Sequence, residues 1–331
     1  MTEPGPQNLI TDVNGITVGN AEDRTALTGT TVVLPSAPAT AAVDVRGGGP
    51  GTRETDLLGA AATVEQVNAI TLSGGSAFGL DAASGVTAWL AAHGRGFEVK
   101  GAIVPIVPAA ILFDLANGGD KNWGDTPPYR DLGYAAAEAA GPDFALGNAG
   151  AGLGATAGPL KGGLGSASLV LETGVTVGAL AAVNAMGSVT FPGSAVFYAW
   201  PFERNAEYGG RRPDSDLKAH DLDLPAPDEA ATNTTLACIA TDAALSRSQC
   251  QRVAVMAQDG LARAIRPVHS PLDGDTVFVL ATGERRLTDP LTGLALIGAA
   301  AADCLARACA RGVFEAGTIG ALTGYRDRHP A

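Results

Sequence analysis

Apolar and polar positions near the start of the chain change over within short spans, a pattern of strands. NLITDVNGITVGNA carries brief apolar groups around a turn at Asn14-Gly15, and TTVVLPS and AAVDVRGGGP are β-rich runs stopped by Pro or Gly. Glu54 to Gln66 is helical in composition. The segment AITLSGGSAFGLDAASGVTAWLAAHG then passes from a short strand through a Gly turn into a helix. FEVKGAIVPIVPAAILFDL is strand-like with prolines at its breaks, and Leu132 to Ala140 is Ala-rich and helical until Gly141-Pro142 stops it. From Gly147 glycine dominates, in close turns and apolar strands of the kind that cross in a sandwich.

Arg211 to Asn233 breaks this pattern with three prolines, six acids and few apolar residues, so an exposed loop is expected there. Directly after it, Thr234 opens TTLACIATDAAL, whose length and β-branched residues suit a central strand buried on both faces. Ser246 to Gln249 has the spacing of a capping box, so a helix should run from there to about Ile265, with Pro267 beyond it. TVFVLATG is another strand. The last long helix should begin after Thr288-Asp-Pro290 and fade near Gly317.

Composition narrows the class. The 331 residues are 46% hydrophobic and 17% charged, with 44 Gly and 20 Pro, which fits one compact domain rather than a disordered chain. A formal net charge of -12 argues against nucleic acid and anionic membrane as partners, since both select clustered Lys and Arg. The opening MTEPGPQNLITDV has no basic-then-apolar signal, so a cytoplasmic location is expected. Leu291 to Ala310 is the most membrane-like stretch, but Asp303 interrupts it and Arg307 and Arg311 follow, which suits a buried Ala-rich helix. Cys238, Cys250, Cys304 and Cys309 form no CxxC pair and have no histidines at metal spacing, so free buried thiols are expected, with no metal and no cofactor.

Candidate chemistry is sparse. Gly150-Ala-Gly152-Leu-Gly154 lacks the six-residue dinucleotide fingerprint, and backbone packing accounts for its glycines better. His93, His220, His269 and His329 lie in separate segments, where surface or loop roles are expected. A hydrolase without a usable His or metal can activate a hydroxyl through a free α-amine on the same residue, whose ordinary pKa is about 7.7 to 8.0. Thr234, where an acidic loop meets a core strand, is the candidate; an ordinary strand start is the bland alternative. Lys161 among glycines reads as a surface lysine or a cleft group. Asn184, inside VGALAAVNAMGSV, reads as a satisfied turn amide or a functional one, and Asp273-Gly-Asp275 reads as a tight turn.

The blocks ITDVNGITVGNA, LSGGSAFGLDAASGVTAWL and KGGLGSAS, and above all NTTLACIATDAAL followed by SPLDGDTVFVLATG, give the chain a wider resemblance. It resembles the self-processing N-terminal nucleophile enzymes that include the β-peptidyl aminopeptidases, the D-aminopeptidase/esterase group and the nylon-oligomer (6-aminohexanoate-oligomer) hydrolases. Thr after Asn, and two aspartates in the DGD block, make it more similar to the nylon branch. The resemblance implies a four-layer α-β-β-α sandwich, an α/β (α+β) fold, cut at Asn233-Thr234 into segments 1–233 and 234–331 of one domain. It implies Thr234 as nucleophile, Asn184 on the oxyanion and Lys161 polarising or deprotonating. Asp273 and Asp275 would orient the Thr234 amine and Lys161, and Tyr134 would lie near a small amide or oligoamide substrate. A homo-oligomer, commonly a tetramer of αβ pairs, is also implied. β-Peptidyl or D-amino-acid aminopeptidase activity, acyl transfer of the ornithine acetyltransferase type, and an uncleaved binding protein are the alternatives.

Overall fold

The computed structural model describes residues 2–219, 222 and 233–330. In chain order the first strands are β1 (Ile16–Asp23), β2 (Thr28–Pro35), β3 (Ala39–Val45), β4 (Gly51–Arg53), β5 (Gln66–Val67) and β6 (Ile70–Ser73). Helix α1 (Ala82–Ala92), the hairpin β7 (Phe97–Val99) and β8 (Ala102–Val104), β9 (Ala109–Ile111) and helix α2 (Tyr129–Glu138) follow. The second half holds β10 (Thr156–Ala157), β11 (Leu160–Lys161), β12 (Gly163–Val170), β13 (Thr176–Asn184) and β14 (Thr234–Ala243). Helix α3 (Arg247–Ala264), β15 (Thr276–Arg285) and helix α4 (Pro290–Glu315) complete the main elements.

Two sheets stack between two helical layers. One is five-stranded in the order β1-β2-β6-β9-β4, and the other six-stranded in the order β12-β13-β14-β15-β3-β5. The inner faces meet through Val33, Leu72, Leu236, Cys238, Phe278 and Leu280. The outer face of the first sheet packs Val32 and Leu34 against Val86, Leu90 and Ala136 of α1 and α2. The outer face of the second packs Ile239, Val277 and Val279 against Val253, Leu261 and Leu305 of α3 and α4. This is the four-layer α-β-β-α sandwich. Its period-2 logic is plain in β14, where Leu236, Cys238 and Ala240 face the other sheet while Ala237 and Ile239 face the helices. All ten residues of β14 are buried, as a central strand requires.

Local signals explain most boundaries. The Ser246 side chain accepts from Gln249 N–H and Gln249 answers the Ser246 N–H, so α3 starts at the expected capping box, and it gives way to extended backbone at Ile265. Asp289 caps α4 ahead of Pro290. Helix α4 is long and apolar enough to cross a membrane, but 67% of its most apolar window is buried in the fold, as a core helix. It lies unusually near β12: a Cβ on Gly165 would stand 1.9 Å from the Ala308 carbonyl oxygen, so only glycine lets strand and helix meet this closely.

Two expectations need revision. Glu54 to Gln66 is not a helix; it holds a single 3-10 turn at Asp56–Leu58 and ends in β5. Leu58 is the one buried side chain of that turn, so no apolar stripe rewards a longer helix. Helix α2 starts at Tyr129, three residues before Leu132. Of the expected acidic loop, Arg211 to Ala219 carries neither helix nor strand, while residues 220, 221 and 223–232, including His220, lie outside the described residues.

Candidate active site

Topology gathers the site at one edge of the six-stranded sheet. β14 and β15 are parallel neighbours joined through α3, so both start at the same edge, and the DGD turn before β15 lies beside the head of β14. β13 runs antiparallel to β14 and therefore ends there, with Asn184 opposite Thr234. β12 begins opposite the end of β13, which brings Lys161, two residues earlier, to that edge as well. Thr234, Asn184, Lys161, Asp273 and Asp275 are all at most 3% exposed.

Around Thr234 the contacts are short and specific. Thr234 Oγ1 donates to the Asn233 carbonyl oxygen at 2.5 Å, and Gly274 N–H donates to that same oxygen and to Thr234 Oγ1, each at 3.0 Å. A Cβ on Gly274 would come 2.6 Å from Thr234 Oγ1, so the turn can carry no side chain here. Asp275 Oδ1 accepts from Thr235 N–H at 2.8 Å. Its other oxygen accepts from His269, through backbone N–H at 3.0 Å and ring Nδ1 at 2.8 Å. Asp273 accepts from Ser270 N–H at 2.9 Å and Met186 N–H at 3.3 Å, and burial followed by the Asp275 charge raises its pKa.

Asn184 is anchored at both ends of its amide. Its oxygen accepts from Thr156 N–H at 2.9 Å and the Thr156 hydroxyl at 3.3 Å, and its NH2 donates to Phe113 O at 3.0 Å. Thr156 is also the cross-strand partner of Lys161. Lys161 Nζ donates to the carbonyls of Gly152 and Gly162, both at 2.8 Å. Burial pushes its pKa down to about 7, opposed by the charge of Asp114. Asp114 in turn accepts from the Thr28 hydroxyl at 2.6 Å and Gly75 N–H at 2.8 Å. A cavity of about 250 Å³ opens beside Asn233 and Asn184, lined also by Phe113, Asp114, Thr156 and Met186.

Several sequence readings change here. Lys161 is wholly buried, not a surface lysine. The carboxylate that acts on it is Asp114, and among the described residues no ion pair joins it to Asp273 or Asp275. Tyr134 stands 43% exposed on α2 in the outer helical layer, apart from the cavity lining. The tyrosine that turns inward is Tyr129 at the start of that helix, buried and sensing the Asp114 charge. His269 was read as a loop residue; it is one, yet it touches Asp275. Its place six residues before Asp275 in one block was the available signal. Asp114 had the signal of a lone acid closing the apolar run AILFD. Gly274 and Thr156 act through backbone N–H groups, which side-chain reading does not see. The glycines from Gly150 to Gly154 form a short turn against β12 and adjoining loops. The four cysteines are free and buried. Among the described residues no cluster of three or more His, Cys, Asp or Glu could hold a metal.

Residues 8–327 match the model of peptidase family S58. The chain belongs to peptidase family S58. It is thus a hydrolase acting on amide bonds. An uncharacterized aminopeptidase of Mycobacterium tuberculosis is 48% identical to this S58 chain over 344 residues, covering 98% of each. A 6-aminohexanoate-oligomer endohydrolase of Paenarthrobacter ureafaciens is 31% identical over 291 residues, covering 85% of this chain and 76% of the relative. Among solved structures, the L-aminopeptidase D-Ala-esterase/amidase of Ochrobactrum anthropi, described as a variant of the Ntn hydrolase fold, has a TM-score of 0.72. It is 21% identical, covering 98% of this chain and 92% of its own. A β-aminopeptidase of Burkholderia sp. has a TM-score of 0.68 at 24% identity, covering 97% and 90%. The fold is therefore that of the Ntn hydrolases.

Proposed function

We propose that this S58 member cuts itself between Asn233 and Thr234 and then hydrolyses small amides with Thr234 as its N-terminal nucleophile. The observation that carries this reading is the pairing of Thr234 Oγ1 with the Asn233 carbonyl under a shared Gly274 N–H. In self-cleavage a bond forms from Thr234 Oγ1 to the Asn233 carbonyl carbon, and the bond from that carbon to the Thr234 nitrogen breaks. The hydroxyl proton passes to the nitrogen, leaving an ester and a free amine. Water then hydrolyses the ester, giving segment 1–233 a carboxylate and segment 234–331 its hydroxyl back.

The Gly274 N–H is aimed at the oxygen that gains charge in this step, the arrangement that stabilises an oxyanion. In turnover the same hydroxyl attacks a substrate carbonyl, with the new α-amine, of ordinary pKa about 7.7 to 8.0, taking and returning the proton. Asn184 supplies an amide donor and Lys161, neutral or charged near pH 7, a second proton-exchanging group. The 250 Å³ cavity with Asp114 in its wall suits a short amine-bearing acyl group, in line with the aminopeptidase names of the mycobacterial relatives. A 6-aminohexanoate oligomer is the second substrate reading, supported by the endohydrolase relatives.

On a denaturing gel the purified protein should run as two fragments, and N-terminal sequencing of the smaller should read TTLACIATD. Thr234→Ala should fold uncut and inactive on a panel of amino-acid amides and short oligoamides. A fragment starting elsewhere, or an active Thr234→Ala variant, defeats the assignment.

A further inference from the structure

We infer that His269 is a positioning residue for the nucleophile, acting through Asp275; the inference rests on the assignment of Thr234 above. The geometry is a relay of three groups. The imidazole Nδ1 and the backbone N–H of His269 both meet Asp275 Oδ2, at 2.8 and 3.0 Å, and Asp275 Oδ1 holds Thr235 N–H at 2.8 Å. Thr235 is the residue after the nucleophile, so the direction of this one carboxylate fixes the backbone that carries the Thr234 hydroxyl and the amine released by cleavage.

Asp275 is 1% exposed, whereas the His269 side chain is 22% exposed. A carboxylate accepts only, so it requires the proton on Nδ1, and a ring in that state fixes the rotation of Asp275 by two bonds to one oxygen. His269 also adopts φ +55°, a left-handed backbone that a side chain larger than Gly or Asn adopts at a cost. Surrounding structure keeps it there, and the pairing with Asp275 is what that backbone makes possible.

Two substitutions separate positioning from shape. His269→Gly suits the left-handed backbone and removes the ring. His269→Asn also tolerates that backbone and carries an amide N–H near the place of Nδ1. In wild-type and variant protein shown by N-terminal sequencing to begin at Thr234, His269→Gly should lower kcat about tenfold or more with KM little changed, the result of a displaced nucleophile. His269→Asn should recover most of the loss, and the two variants should melt close together. Wild-type kcat in processed His269→Gly, or an Asn variant no better than the Gly variant, overturns the inference while leaving the Thr234 assignment intact. A wild-type chain that stays uncut overturns both. A Thr234→Ala variant that hydrolyses amides overturns the parent reading.

Discussion

Two cationic side chains lie wholly inside this protein and are held in opposite ways. Arg307 on α4 meets Glu207 through Nε at 2.6 Å and Nη2 at 3.0 Å, and also donates to Ser168 O at 2.9 Å and Asn8 Oδ1 at 2.7 Å. Burial works against its charge, but Glu207 more than restores it, and its pKa ends above the ordinary value. Among the described residues Lys161 has two carbonyls and no ion pair, and burial lowers its pKa to about 7. A buried charge with a full set of partners is architecture. One whose surroundings favour neutrality is free to give up a proton, and such groups gather at reactive sites.

Exchange of each cation for methionine tests the contrast. Lys161→Met should cost about 100- to 10,000-fold in turnover, the range of a lost acid-base group, while the melting temperature stays level or rises. An active Lys161→Met variant would reduce Lys161 to a space-filler. Arg307→Met should do the reverse. It leaves Glu207 buried without its partner, so urea unfolding measured in the uncut Thr234→Ala background should show a loss of about 3–5 kcal/mol, while kcat per folded molecule of the Arg307→Met enzyme is kept. Lost turnover in folded Arg307→Met would break the division between the two cations.

The smallest effect is a pH trend. The folded pKa of Lys161, about 7, lies below the unfolded value near 10.4. Between those values the unfolded chain binds the extra proton, so stability rises with pH and is lost again as pH falls toward 7. The melting-temperature advantage of Lys161→Met over wild type should therefore be widest near pH 7 and narrow toward pH 10. A gap that does not move with pH would mean that Lys161 keeps its charge when buried.

Much of this fold could be read from local chemistry. β14 announced itself by length and β-branching, α3 by the Ser246–Gln249 box, and α4 by Asp289-Pro290, because each signal lies within a few residues of the feature it sets. The segment from Glu54 to Gln66 misled because its composition favours helix while the fold offers it no face to bury. In the site, Thr234, Asn184, Lys161, Asp273 and Asp275 were named from a resemblance to known enzymes, and topology brings them to one edge. Asp114 and His269 were missed because their meaning depends on partners 47 and 6 residues away, Lys161 and Asp275. The depth of Lys161 was illegible too, since flanking glycines say nothing of what closes over them. Tyr134, named from the resemblance, stands exposed on α2 about one and a half helical turns from the buried Tyr129.

The close seam between β12 and α4 bears on the life history of the molecule. Strand and helix belong to opposite sides of the Asn233-Thr234 bond, and backbone meets backbone at Gly165 and Ala308 with no room for a side chain between them. A protein cut at that bond is assembled before it is divided. Its folding is a first-order event in one chain, but the return from denaturant is a meeting of two separate polypeptides, slower at every dilution. Under the proposed scission the cut would act as a ratchet: the divided protein would hold its shape through a barrier to leaving it, and a batch melted in dilute solution would not come back.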